Sequence, residues 1–303
     1  MTKRILLVDD EIDFLDIMSD LLEDEGYSIT TAVNGAQALE ILARATFDLL
    51  ISDINMPGMK GFELLGEVGK RYPLLKTALI TAYDVRDYIT LAKHANVSNI
   101  ITKSVTFDVR EIVQLIGNLL TEEVFGLERY INGPIQSYTI THSNNIDKAL
   151  QGVLDSFGDE KPLKKFKHAL GEIIINAVYY GARNERGDRK ETWQLDIELP
   201  PHEAVVVSWG ADNEKAGVAV RDQKGRLTKE DVLHWLERNT TRGNDGLSIG
   251  VLDEHGKGIF ISRETSDRLL INIKKTVATE IIMLNYRQGR YDGHKPLWIH
   301  EFK

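Results

Sequence analysis

The chain has no cysteine among its 303 residues, which excludes disulfides and thiolate metal sites and favours a reducing, cytosolic compartment. Long hydrophobic runs are missing too: no stretch approaches the roughly 18 apolar residues that a membrane-spanning helix needs. Met1-Thr2-Lys3-Arg4 passes straight into an apolar strand pattern, so a signal peptide is not expected. Positive charge is in deficit. With 46 acids against 37 bases the formal net charge is -9; 18 of those acids and 11 of the bases fall within residues 1–120, which places -7 there and -2 in the remainder. That balance argues against a direct nucleic-acid output, because domains with such an output usually carry a basic face. The length exceeds that of one doubly wound domain and suits two, each burying its own core.

Short apolar runs are present near 4–8, 28–33, 49–53, 77–81 and 99–102, separated by helical stretches. This alternation predicts an α/β doubly wound domain with a parallel five-stranded sheet over 1–120. In the first helix Phe14, Ile17, Met18, Leu21 and Leu22 form one apolar stripe, and Asp13, Asp16, Asp20 and Glu23 form a solvated acidic face. A last helix is expected from about Asp108 to Leu120.

Acids close several of the runs. Leu49-Leu50-Ile51-Ser52 ends on Asp53, and Ile5-Leu6-Leu7-Val8 ends on Asp9-Asp10. In parallel α/β sheets, ligands bind outside the carboxyl ends of the strands. Carboxylates crowded on one rim repel, and a hard cation such as Mg²⁺ is the simplest way to hold them together near neutral pH. Two further runs lead to Thr81 and Lys103, adding a hydroxyl and an ammonium to that rim. The alternative is that Asp9, Asp10 and Asp53 merely cap strands.

Taken jointly, these positions resemble the receiver domain of two-component response regulators, a flavodoxin-like fold, over about the first 120 residues. The resemblance implies that Asp53 is a nucleophile taking a phosphoryl group from a cognate histidine kinase, a phosphotransfer protein or a small donor. It implies Mg²⁺ held by Asp9, Asp10, Asp53 and the carbonyl of Asn55, with Lys103 and Thr81 serving the phosphoryl oxygens. Two positions depart from the family pattern: Ser104 follows the lysine where proline is usual, and Ile100 stands where an aromatic usually follows the movement of the threonine.

Residues 121–145, with Gly126, Gly133 and Pro134, read as a connector, 146–290 as a second domain and 291–303 as a tail. Helical patterns near 146–157 and 162–182 precede strand-like runs at Trp193–Leu199, Ala204–Trp209, Val218–Val220, Leu269–Ile273 and Thr276–Asn285, with Pro200-Pro201 marking a tight connection. An α+β two-layer sandwich is expected. Glu172 and Asn176, four apart, share one helix face. Val218-Ala219-Val220-Arg221-Asp222 enters an acidic turn containing Gly225, and Gly256 and Gly258 precede an apolar helix, a setting in which backbone N–H groups can approach phosphates.

These segments resemble the GHKL ATPase domain shared by gyrase, histidine kinases and mismatch-repair ATPases, particularly its short form in anti-sigma-factor serine kinases. The resemblance implies Mg-ATP binding, with Asn176 reaching Mg²⁺ and Glu172 activating a nucleophile. It further implies Asp222 on the adenine amino group, Thr279 beside it, and the Gly225, Gly256 and Gly258 backbone near the nucleotide. Lys224 and Arg226 stand where the family has glycines, and Ala278 replaces the glycine before Thr279. Two outputs follow. One is a serine/threonine kinase acting on an antagonist protein, or a partner switch that sequesters a sigma factor; the other is a non-enzymatic module gated by the first domain. A homodimer is compatible with either, and no membrane partner is expected. His168, one turn before Glu172, is expected to be an exposed or satisfied helix residue rather than a phosphoacceptor, and Tyr179 and Tyr180 are expected to pack.

Overall fold

A computed structural model describes residues 2–103, 109–121, 123–157, 166–182, 196–242, 248–252, 257–287 and 294–302. The chain divides into two units, Met1–Val124 with Asp292–Trp298, and Phe125–Tyr291 with Ile299–Lys303.

The first unit runs β1 (Arg4–Val8), α1 (Ile12–Asp24), β2 (Ser28–Ala32), α2 (Gly35–Leu42), β3 (Leu49–Asp53), α3 (Gly61–Arg71), β4 (Lys76–Thr81), α4 (Ile89–His94), β5 (Asn99–Thr102) and α5 (Val109–Thr121). The strands are parallel in the order β2-β1-β3-β4-β5, the doubly wound flavodoxin-like order. Helices cover both faces, so the central strands read as unbroken apolar runs rather than alternating ones. Ile5 to Val8 and Leu49 to Ile51 are accordingly buried, each side chain contributing about 1.5–3 kcal/mol relative to exposure. The register sets Val8 beside Ser52 and Ser52 beside Leu79, which brings the ends of β1, β3 and β4 to one rim.

Helix α1 departs from its expected stripe. Leu15, Met18 and Leu22 are buried while Ile17 is 58% exposed. Spacings of three and four are satisfied equally well by the set centred on Leu15, and the sheet selects that set; the acids Asp13, Asp16, Asp20 and Glu23 do face solvent. On the outer edge of β5, Leu297 and Trp298 pair antiparallel with Ile100 and Asn99.

The second unit contains β6 (Ile135–Ile140), α6 (Ile146–Phe157), α7 (Phe166–Asn176), a π-helical continuation (Ala177–Ala182), β7 (Val205–Ala211), β8 (Lys215–Asp222), α8 (Lys229–Thr240), α9 (Lys257–Thr265), β9 (Arg268–Lys274) and β10 (Ala278–Tyr286). Its strands are antiparallel in the order β9-β10-β8-β7-β6. Among the helices, α7 packs against α6 and α9, and α9 against α8.

Several segments differ from their sequence-based reading. The connector region holds strand β6, whose edge pairing with β7 supplies the order that a local reading of Gly133-Pro134 does not reveal. The expected tail contains strand β11 (Leu297–Phe302); its opening trio Leu297-Trp298-Ile299 is buried. The strand expected over Trp193–Leu199 is reduced, within its described part, to a single bridge between His142 and Glu198; residues 193–195 lie outside the described residues. Pro201–Glu203 forms one 3-10 turn, consistent with prolines that cannot donate to a ladder.

Candidate functional site

At the carboxyl end of the first unit's sheet, Lys103 gathers two acids. Its Nζ lies 2.7 Å from Asp9 Oδ2 and 2.9 Å from Asp53 Oδ1, and it also sits 4.2 Å from the centre of the Phe14 ring. Backbone donors hold the carboxylates in place: Glu11 N–H donates to Asp9 Oδ1 at 3.0 Å, and Asn55 N–H donates to Asp53 Oδ2. The Asn55 side chain is turned away, donating to Tyr88 Oη at 2.8 Å. Thr81 is fully buried; its Oγ1 accepts from Tyr83 N–H at 3.1 Å, and its carbonyl accepts from Lys103 N–H at 2.6 Å. Gly61 makes the close approach of α3 possible, because a Cβ there would stand 2.2 Å from the Asp53 carbonyl oxygen.

Burial at Asp9 is nearly complete, at 2% exposure. It pushes the Asp9 carboxyl above its ordinary pKa, with Asp53 adding to the rise and Lys103 opposing it. Burial alone would depress Lys103, but its hydrogen bonds to Asp9 and Asp53 outweigh that and hold the ammonium above its usual value. Asp10 is exposed, and among the described residues Asp9, Asp10 and Asp53 are not drawn into a three-carboxylate cluster. Ser104 lies outside the described residues, and Ile100 is buried.

In the second unit the predicted residues fall into two groups. Glu172 and Asn176 lie on α7 facing α9: a Cβ at Gly258 would come within 3.0 Å of Asn176 Nδ2 and 3.2 Å of Glu172 Cβ. Gly258 is the second residue of α9 and packs its first turn closely on α7; Gly256 lies outside the described residues, as does the side chain of His168. Asp222 and Thr279 form the other group, paired across β8 and β10 and each 4% exposed. Asp222 Oδ1 accepts from the N–H groups of Lys224 and Gly225 at 2.8 and 3.0 Å. Burial raises the Asp222 pKa, and those two donors oppose the rise. The Thr279 hydroxyl is buried without a well-formed hydrogen bond. Gly225 adopts φ +58°, and any Cβ there would meet the Lys274 carbonyl oxygen at 2.1 Å, so the turn requires glycine. Arg226 donates to the carbonyls of Gly181 and Ala182 at 2.9 and 2.7 Å. Tyr179 is buried, as expected.

Sequence reasoning missed a buried polar row across the second unit. Glu280 stands between Arg221 and Asn272 in register, accepts from Gly126 N–H at 2.9 Å, and Asn272 Oδ1 lies 2.8 Å from His300 Nδ1. The signal in the sequence is faint: single polar residues interrupting otherwise apolar strands.

Comparison with known proteins bears on the first unit. The response regulator receiver domain family matches residues 5–117. The response regulator protein FleR of Pseudomonas aeruginosa is 34% identical over 135 residues, covering 45% of this chain and 28% of FleR. An uncharacterized 14.6 kDa protein from Leptolyngbya boryana is 38% identical over 114 residues, covering 37% of this chain and 86% of that protein. Among solved structures, the response regulator TrrA of Thermotoga maritima in complex with Mg²⁺-BeF is 39% identical, covering 39% of this chain and all of TrrA at a TM-score of 0.36. The chain therefore spans under a third of FleR's length, and the family model covers residues 5–117. Residues 5–117 are a CheY-like response regulator receiver domain of the two-component type.

Proposed function

We propose that Asp53 is the phosphoacceptor of this response regulator, charged by a cognate histidine kinase, a phosphotransfer protein or a small phosphoryl donor. The observation that carries the reading is the single ammonium of Lys103 shared between Asp53 and Asp9, 2.9 and 2.7 Å away. Attack by an Asp53 carboxylate oxygen on the donor's phosphorus forms an acyl phosphate while the donor's bond to phosphorus breaks. The transfer needs an in-line nucleophile and positive charge near the equatorial oxygens. Lys103 supplies a positive charge, and Thr81, whose oxygen accepts from Tyr83 N–H, can still donate its hydroxyl hydrogen. The site also fits Mg²⁺ by the chemistry of its donors: Asp9 and Asp53 bring carboxylate oxygens to one ammonium at the ends of β1 and β3, and a hard cation takes oxygen ligands of this kind. Asp9, Asp10, Asp53 and the Asn55 carbonyl would hold the ion, which supplies Lewis-acid charge stabilisation. Asp53→Asn is expected to abolish the acid-stable, base-labile adduct formed with labelled donor; equal labelling of that variant refutes the assignment.

For the second unit the reading is a GHKL-type output under receiver control, acting as a serine/threonine kinase or an ATP-dependent switch on an antagonist protein or sigma factor. Support comes from Asp222 and Thr279, adjacent and buried, and from Glu172 and Asn176 on one face of α7. A second reading, a binding module without nucleotide, is favoured by Arg226, whose guanidinium ties the turn after Asp222 to the Gly181 and Ala182 carbonyls. Calorimetric titration with Mg-ATP separates the two. Saturable binding lost in Asn176→Ala supports the nucleotide site; absence of heat, with no competition by any adenine nucleotide, supports the module.

A further inference from the structure

The outer edge of β5 is not left open in this receiver. Leu297 and Trp298 pair with Ile100 and Asn99, and both side chains are buried, at 3% and 6% exposure. Edge strands normally need such covering, because their unpaired N–H and C=O groups invite foreign strands. Three residues earlier, the His294 imidazole approaches the Asp84 carboxylate at 3.8 Å. Asp84 lies in the turn immediately after Thr81 and is held there by Arg86, whose guanidinium stands 2.6 Å away.

The two attachments of this segment both lead back to the phosphoryl site. β5 pairs on its inner side with β4, Thr102 opposite Thr81, and its next residue is Lys103. The turn bearing Asp84 begins at Tyr83, whose N–H donates to Thr81 Oγ1. The paired length is only two residues, so backbone hydrogen bonding adds little, roughly 1 kcal/mol per bond. This pairing to β5, one of the two that β11 makes, is thus weak enough to be biased by the site next to it.

We propose that residues His294–Trp298 act as an intramolecular strap on the β5 edge that phosphorylation of Asp53 loosens. The proposal rests on Asp53 being the phosphoacceptor. A phosphoryl group at Asp53 draws the Thr81 hydroxyl towards it as a donor, and because the same oxygen accepts from Tyr83 N–H, its movement pulls on the turn bearing Asp84. The same group engages Lys103 at the end of β5. One event thus disturbs the His294 contact and the strand to which Leu297 and Trp298 are paired. Ile100 is paired with Leu79 on one side and Leu297 on the other, and so carries a shift of β4 and β5 to the strap.

The test is amide hydrogen exchange on the full-length chain, with and without Mg²⁺ and beryllofluoride as the phosphoryl mimic, read in peptides covering 76–84 and 294–298. Expected is protection near Thr81 together with exchange at 294–298 that is faster by at least about 5-fold, the lower end of typical allosteric coupling, and neither change in Asp53→Asn. Protection near Thr81 with unchanged or slower exchange at 294–298 would overturn the strap while leaving the phosphoacceptor in place. No change in either peptide would overturn the phosphoacceptor reading, and the strap with it.

Discussion

The two units handle buried charge in opposite ways. In the first, Asp9, Asp53 and Lys103 converge from the ends of three different strands onto one rim, where each charge faces an opposite one. In the second, Asp222 and Glu280 are buried within strands, Asp222 held by the N–H groups of its own turn and Glu280 by the Gly126 N–H, Asn272 and the Arg221 charge on the neighbouring strand. A charge arrangement open at a strand end has capacity left for a ligand; one closed by its own backbone has little. That contrast is why the receiver's chemistry follows from its geometry, whereas the second unit's output needs a binding experiment.

The largest way to break the contrast is to remove the converging cation. Lys103→Ala deletes the ammonium proposed to face the phosphoryl oxygens, and loss of one such preorganised donor typically slows a reaction by about 10²–10³-fold. Rates of Asp53 labelling by a small phosphoryl donor should fall in that range with the fold intact by circular dichroism. A change below about 10-fold would show that Lys103 is a structural counter-ion to Asp9 and not part of the transfer machinery.

The closed character of the second unit can be probed by pH. His300 is fully enclosed, and burial lowers its pKa from 6.5 to about 4. A lowered folded pKa means the unfolded chain binds the proton more tightly, so the stability is whole above about pH 6.5 and is lost as pH falls towards 4. The shift corresponds to about 3 kcal/mol across that window. Glu280 and Asp222 run the other way: burial raises both, so their contribution declines as pH rises through their folded values. Urea unfolding of the full chain at several pH values, compared with His300→Gln, isolates the histidine. The variant should lose most of the decline between pH 6.5 and 4; an identical decline would place the acid sensitivity elsewhere.

Legibility in the sequence follows the same divide. The receiver strands stand at Arg4–Val8, Ser28–Ala32, Leu49–Asp53, Lys76–Thr81 and Asn99–Thr102, close to the apolar runs, because strands buried on both faces write an unbroken apolar signal. Asp9, Asp53, Thr81 and Lys103 were readable because a parallel sheet forces strand ends onto one rim. The stripe of α1 was misplaced by a turn-neighbour because Ile17 and Leu15 satisfy the same periodicity, and only packing decides between them. Strands β6 and β11 were not legible: each is fixed by a partner distant in sequence, Ile135 with Gly210 and Leu297 with Ile100. The row from Arg221 to His300 escaped for the same reason, since its members meet only across strands.

Gly258 is the finest test of the contrast, because phosphate binding and helix packing predict different responses to one added methyl. A Cβ at 3.0 Å from Asn176 Nδ2 and 3.2 Å from Glu172 Cβ is tighter than ordinary contact. Alanine is otherwise the better helix former by about 1 kcal/mol, so a gain in stability would mean that α7 and α9 yield freely. Overpacking of a tight helix contact costs about 1–3 kcal/mol. The two terms nearly offset, and a net loss of roughly 1 kcal/mol is expected, read as a lowered urea midpoint at unchanged slope. If Gly258→Ala keeps wild-type stability but abolishes Mg-ATP heat, the glycine serves a nucleotide. If it loses stability and leaves binding in proportion to the folded fraction, close packing of α7 on α9 is its role, and Asn176 and Glu172 are held at that interface by it.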